Sequence, residues 1–449
     1  MYMALVGPSR YSGNLLLGRK LLCFWLALLG IAEPGSVRAD NFKTELKRIL
    51  ATHPLIKSAQ ATKDANIGLV EDAEGRYWPQ FRVEGTTGPQ LRSNPERRAL
   101  ERPEDFERRL DRTSLVITQN VFSGFENQSR LEASKKQVQS SVAAIERTRQ
   151  QVLLEGINVY LEVLLNQKLI AVSLQNERNI LEQAELEDER VKRGTGITLD
   201  VLQAKSRLAL GKQARLNFEG EFRKARARYL QVFGVEPNLE AMKNPEPPRN
   251  MVPSSLDDAL ILSQANNPSV IEFEFIAQGL ADLRDAERSN YWPKVDLVST
   301  LAYKANEGTT AGHERSADLL LRGTWDLFSG FSTRGRVRSA AKSYQSVQQQ
   351  TANQRRKIDE QVRVTWEELF KQKERLVVLK NAVDIQAEVF KQRKILREEG
   401  NETNLAVLDA KTELFEAQLE LIQAEFSYRI AAFALGSAVG LLTDDVLGL

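Results

Sequence analysis

His53 and His313 are the only histidines, with 259 residues between them, and Cys23 is the only cysteine. A histidine-based metal site needs several such ligands brought together. A single thiol can form neither an intrachain disulfide nor a thiolate cluster. No nucleophile motif and no paired acid/base constellation stands out among the remaining residues, so the chain reads as non-enzymatic and without a cofactor. What it has in abundance is balanced charge: 62 Lys and Arg against 60 Asp and Glu in 449 residues, a net of +2. That balance gives no electrostatic reason for a nucleic-acid partner. The chemistry left open is ion pairing and solvation, and its usefulness depends on the elements that carry it.

The first of those elements is an address. Arg19-Lys20 precedes an apolar run from Leu21 to Ala32, and Val37-Arg38-Ala39 ends on a small residue. This order reads as a secretory signal peptide over residues 1–39, cleaved after Ala39. Cys23 begins the apolar run rather than following it, so it does not suit a lipid anchor. Beyond Ala39 no stretch reaches eighteen consecutive apolar residues, which leaves strands to make any membrane crossing.

The rest of the chain is written twice. His53-Pro54 and Tyr77-Trp78-Pro79 return as Asn267-Pro268 and Tyr291-Trp292-Pro293, at an offset of 214. Val121-Phe122-Ser123-Gly124-Phe125 returns as Leu327-Phe328-Ser329-Gly330-Phe331 at an offset of 206, as do Tyr160 with Trp366 and Gly234 with Gly440. Six of twelve positions are identical between Gly194–Lys205 and Gly400–Lys411. The expected organisation is a first repeat over 40–236, a Pro-rich linker over 237–253 that breaks any helix, and a second repeat over 254–449.

Each repeat reads as a helix, two strands and two very long helices. In the second, Val295, Leu297, Ser299, Leu301 and Tyr303 alternate with Asp296, Val298, Thr300, Ala302 and Lys304. Leu319, Leu321, Trp325 and Leu327 alternate with Asp318, Arg322, Thr324 and Asp326. A period of two with one apolar and one wet face is a strand, so hairpins are expected at about 80–121 and 294–327. The first carries a charged connection with Arg97, Arg98, Glu101, Arg102, Glu104, Asp105, Glu107, Arg108 and Arg109. A lone hairpin is marginal in water, so these four strands call for partners in other copies of the chain.

Glu126 to Arg193 and Ser332 to Glu399 contain no proline, and each would reach roughly 100 Å as a single helix. Val362, Leu369, Leu376, Val383 and Phe390 recur every seven residues, and Leu405, Leu408, Phe415, Leu419, Ile422 and Phe426 line the return leg. These are coiled-coil seams, so long helical hairpins are expected at about 126–234 and 332–440, in a rod or a tube. Gly194 and Gly400 suit the outgoing helix ends, and Thr198 and Asn404 suit the N-caps of the returns.

Together the doubled Tyr-Trp-Pro entries, the Phe-Ser-Gly-Phe exits and the two tips, Gly194-Thr195-Gly196-Ile197-Thr198-Leu199-Asp200-Val201-Leu202 and Gly400-Asn401-Glu402-Thr403-Asn404-Leu405-Ala406-Val407-Leu408-Asp409, resemble the TolC-like outer-membrane factors. The resemblance covers nearly the whole chain after the signal segment. It implies a mainly α fold with a small β part: a homotrimeric α-helical coiled-coil barrel continuous with a twelve-stranded transmembrane β-barrel, four strands per chain. It implies a passive exit duct in the outer membrane of a Gram-negative bacterium, serving type I secretion or efflux. Its partners would be outer-membrane lipid, a periplasmic adaptor and an inner-membrane transporter of ABC or RND type, which supplies the energy and selects the cargo.

The resemblance also implies roles for single residues. Asp296, Lys304, Arg322 and Asp326 would line the pore. Asp409 would form an acidic constriction ring, in which Ala406 replaces a second carboxylate. Asp200 and Arg397 would latch the tip closed. Gly194, Thr195, Gly196, Ile197, Leu199, Val201, Leu202, Gly400, Asn401, Leu405 and Leu408 would meet the adaptor, although Ile197, Leu199, Val201 and Leu202 suit packing within the hairpin equally well. The alternative class is a soluble periplasmic coiled-coil scaffold or adaptor. Adaptors carry one helical hairpin between β-rich domains, whereas here two hairpins alternate with strand pairs.

Overall fold

The computed structural model describes residues 41–92, 106–307 and 312–449. The expected signal segment lies outside the described residues, as do Arg97, Arg98, Glu101, Arg102, Glu104 and Asp105 of the expected charged connection. Each repeat opens with two helices rather than the single one expected: α1 (Asn41–Thr52) and α2 (Pro54–Gly75), then α5 (Leu256–Asn266) and α6 (Pro268–Arg288). The break is local chemistry. Proline at the first helical position fixes its own φ and has no N–H to leave unpaired. The preceding side chain caps the new helix: His53 Nδ1 accepts from the Leu55 amide at 3.3 Å, and Asn267 Oδ1 from the Ser269 amide at 2.9 Å.

Strands β1 (Gln80–Arg92), β2 (Phe106–Phe122), β3 (Lys294–Ala305) and β4 (His313–Thr324) form one antiparallel sheet in the order β1-β2-β3-β4. Glu107, Arg108 and Arg109, expected in the connection, belong to β2. Asp326, expected to line the pore from a strand, follows the end of β4 at Thr324. The ladder ends there because Trp325 turns away, its indole N–H donating to the Tyr291 carbonyl at 3.1 Å.

The register sorts the side chains onto two faces. Val83 pairs with Leu115, Phe81 with Ile117, Leu301 with Leu115, and Leu297 with Leu321, all on one face. The opposite face carries Asp296 beside Arg322, Lys304 beside Arg112 and Glu314, and Glu84 beside Ser114. The apolar face is left bare: Phe81, Val83, Leu319 and Leu321 are each about 70% exposed. Tyr77, Trp78, Tyr291, Trp292, Trp325, Phe328 and Phe331 are exposed too, all at the helix-proximal ends of the strands.

Strand and helix are joined twice by the same device. Gly124 and Phe125 take left-handed backbone angles (φ 64° and 70°) before α3 (Glu126–Lys192), and Gly330 and Phe331 do so (61° and 66°) before α7 (Ser332–Glu398). In both, two phenylalanines meet edge to face at 5.4 Å and 86°, Phe122 with Phe125 and Phe328 with Phe331.

Helices α3 and α7 return through α4 (Thr198–Phe233) and α8 (Asn404–Val439), and a short α9 (Asp444–Leu447) ends the chain. Helix α6 packs between α3 and α7, and α2 packs on α3. The main core gathers Leu46 and Ile49 of α1, Tyr160 of α3, Tyr229 of α4 and Phe433 of α8, all essentially buried. One stretch of α3 is long and apolar enough to cross a membrane by length and composition alone, and half of it is buried inside the protein, where this core accounts for its character. The Pro-rich linker contains one 3-10 turn, Arg249–Met251, and it is docked. Tyr160 Oη bonds both the carbonyl and the amide of Lys243, at 3.1 and 3.0 Å, and Met251 is fully buried beside Gly436.

The two strand-to-helix junctions differ in crowding. A Cβ on Gly124 would lie 2.7 Å from the Ser289 carbonyl oxygen and 2.8 Å from the Trp292 Cβ, whereas one on Gly330 meets nothing within 4 Å. Gly330→Ala is expected to cost only its left-handed backbone angle, about 1–2 kcal/mol. Gly124→Ala should cost distinctly more, because backbone must move. Urea-unfolding midpoints of the two variants compare them directly.

Candidate functional site

The hairpin tips bring the singled-out side chains together. At the first tip, Gly194 takes φ 73°, its amide donates to the Val191 carbonyl, and the Thr195 amide donates to the Arg190 carbonyl at 2.9 Å. This is a Schellman turn, and Gly400 repeats it with Asn401 donating to the Leu396 carbonyl at 2.9 Å. Gly196 has a different reason to be glycine: a Cβ there would lie 2.7 Å from the Val191 nitrogen. The expected N-caps are each one residue late. Ile197 occupies the first cap position without a side-chain bond, and Thr403 the second, its Oγ1 accepting from the Ala406 amide at 3.2 Å. Asn404 is thereby freed from capping and buried.

The apolar tip residues divide by burial. Val201 and Leu408 pack inside the chain, Leu408 against Ala184 and Ala204. Burial of Val201 favours the alternative of packing within the hairpin, and α3, α4 and α8 converge on Leu408. Ile197, Leu199 and Leu202 are about 60% exposed, and Leu405 is at the margin of exposure.

Asp200 and Arg397 come from different hairpins and approach to 3.6 Å between carboxylate and guanidinium. A third residue, not singled out from the sequence, lies beneath them. Glu187 of α3 is fully buried, 3.7 Å from Arg397 and 3.0 Å from Arg190. Gln183 Nε2 donates at 3.2 Å both to Glu187 Oε1 and to Asn404 Oδ1. The network thus touches α3, α4, α7 and α8. The signal was present in the sequence: Asn176, Ile180, Ala184 and Glu187 follow one another at helical steps of 4, 4 and 3, and all are buried. An acidic residue on a buried stripe needs a cationic partner, and Arg190 and Arg397 supply it.

Above this network a groove of about 450 Å³ runs between the hairpins, lined by Asn176, Glu182, Phe390, Lys394, Lys411 and Phe415. Burial pushes the Lys411 ammonium down to about 8; Glu182 opposes the shift and Lys394 adds to it. The ammonium lies 5.9 Å from the centre of the Phe390 ring. Asp409 points elsewhere: its Oδ1 accepts from Arg207 Nη2 of α4 at 2.6 Å.

The sheet places Asp296, Lys304 and Arg322 on its polar face. Asp296 accepts from Asn120 Nδ2 at 2.8 Å, and Lys304 lies 3.0 Å from Glu307. The exposed Asp326 lies beyond that ladder.

Residues 46–235 and 260–441 match the family model described as outer membrane efflux protein. Among curated relatives, the outer membrane efflux protein BepC of Brucella suis is 23% identical over 342 residues, 75% of this chain and 73% of BepC. The alkaline protease secretion protein AprF of Pseudomonas aeruginosa is 23% identical over 358 residues, 77% of this chain and 73% of AprF. The crystal structure of the outer membrane protein VceC from Vibrio cholerae shares the fold with a TM-score of 0.76 at 16% identity, covering 89% of this chain and 96% of VceC.

Two expectations follow from the tip. Glu187→Ala removes the buried carboxylate shared by Arg190 and Arg397, whose side chains are partly exposed and the second of which keeps Asp200. Its cost should therefore exceed that of a surface pair and stay below the about 3–5 kcal/mol of a fully buried one. Lys205→Ala removes only an exposed contact to Asp188 and should cost about 0–1 kcal/mol. Hydrogen exchange in residues 183–205 and 393–408 reads both. The second concerns pH. Lys411 releases its proton near pH 8 in the folded tip, against an ordinary value of 10.5. Between those values the unfolded chain binds more protons, so tip stability should rise as pH climbs through that window. Below pH 8 the burial cost stands in full, and Lys411→Met should flatten the profile.

Proposed function

The chain belongs to the outer membrane efflux protein family, and we propose that three copies of it close into one duct across the outer membrane. The observation that carries this reading is the open sheet. Its four strands have 12 to 17 residues, whereas about 9–11 tilted residues suffice to cross the hydrocarbon layer. Its apolar face is bare, and its outer edges on β1 and β4 pair with nothing within the described residues. In lipid every backbone N–H and C=O needs a partner, so such a sheet is admissible only when copies join edge to edge into a closed barrel. The polar face with Asp296, Lys304 and Arg322 then lines water. The tyrosines, tryptophans and phenylalanines at the helix-proximal strand ends take the place of an interfacial aromatic girdle.

The helical hairpins extend this duct into the periplasm, and the tips are its gate. Arg397, held between Asp200 and the buried Glu187, ties the second hairpin to the first. Ile197, Leu199 and Leu202, with the Gly194-Thr195-Gly196 turn, face outward for a periplasmic adaptor that brings an inner-membrane transporter. The duct is passive, and docking at the tips opens it. The same family includes relatives named for efflux and for secretion, which fits a conduit whose cargo is chosen upstream.

The reading is tested in bilayers. Leu321→Arg places a charge on the apolar face and should destabilise the folded barrel by about 2–4 kcal/mol near the midplane. Thr300→Arg, on the polar face, should be nearly silent in the same urea titration in liposomes. Asp200→Arg should raise single-channel conductance by loosening the tip. A protein washed free of membranes without detergent would end the duct reading.

A further inference from the structure

At the level of Asp409, α8 does not present a free carboxylate. Arg207 Nη2 of α4 lies 2.6 Å from Asp409 Oδ1, a charge-assisted hydrogen bond between the two hairpins of one chain. One turn earlier Ala406 has no charge to offer, and its carbonyl accepts from Arg393 Nη1 of α7 at 3.4 Å. Arg207 and Arg393 thus both approach this stretch of α8, and guanidinium keeps its charge at any pH a protein tolerates. The side chains of Arg207 and Asp409 keep 33% and 42% of their exposure, so water and passing ions reach the pair.

We propose that Arg207 is a specificity-determining residue of the duct: it cancels the Asp409 charge, so the passage at the tip does not select cations and suits neutral or anionic solutes. The inference rests on the duct reading above. A lone carboxylate acts on ions over a Debye length, ~10 Å at 0.1 M salt. A carboxylate bonded to guanidinium acts as a dipole, whose field decays faster. Three chains around one axis multiply whichever sign prevails.

The test is the reversal potential of the purified full-length protein in planar bilayers under a potassium chloride gradient. Wild type is expected to show no preference for potassium over chloride. Arg207→Gln uncovers three carboxylates, and the potassium-to-chloride permeability ratio should rise several-fold, with block by millimolar lanthanum appearing at the same time. Arg207→Lys keeps the charge and should leave the ratio where it was. The double variant Arg207→Gln/Asp409→Asn removes both charges and should return the ratio to wild type, an outcome that a merely structural role of Arg207 does not produce. Channels that are cation-selective from the start and unmoved by Arg207→Gln overturn the assignment. Wild-type protein that inserts no channel overturns the duct reading instead.

Discussion

The unpaired strand edge is the constraint from which the rest of this structure follows. Four strands with a bare apolar face and two open edges have no stable solution in water and none in lipid as a single sheet. Closure by further copies satisfies every ladder at once, and it forces the helices that leave the strands to stand in a common ring. The Gly-Phe junctions set that exit direction. Two successive left-handed residues join each strand to its helix, and the edge-to-face phenylalanine pair packs beside each junction. That a non-glycine holds φ near 70° at both places shows how closely the surroundings specify the turn.

Much of this was legible because periodicity is a long-range property of a sequence. The tandem repeat, the alternating strands of the second half and the proline-free helices each extend over tens of residues, and one anomalous residue cannot erase them. What escaped was local competition. His53 and Asn267 each cap a new helix and split the expected single helix in two. Thr403 took the cap position from Asn404, and the released amide went inward to Gln183. Asp326 continued an alternation that the ladder did not, because Trp325 had found a backbone acceptor on another segment. Glu187 was hidden for the opposite reason: its spacing was regular, but its charge was ordinary among 60 acidic residues, and only burial distinguishes it.

Charge at the tip is arranged in two registers with different physical meaning. The Glu187–Arg397–Asp200 group is largely withdrawn from water, where each member depends on the others and removal of one is felt by all. The Arg207–Asp409 pair lies nearer the solvent, where its contribution to stability is small and its contribution to the local field is not. Family likeness points to both places but does not fix the sign of either, because the residues that set it lie on neighbouring helices. Lys411 adds a third case, a cation kept in a partly apolar groove at a cost that depends on proton concentration.

The two tips are not copies. The first ends on Gly194-Thr195-Gly196 followed by the exposed Ile197 and Leu199, whereas the second carries Asn401 and Glu402 in the corresponding turn. A ring of three chains therefore shows six ends of two alternating kinds, greasy then polar, with true threefold and only approximate sixfold symmetry. Any collar of identical subunits that seats on it must address unlike neighbours at every step. It has to pair its own members into doublets, or make the same surface serve two dissimilar footings.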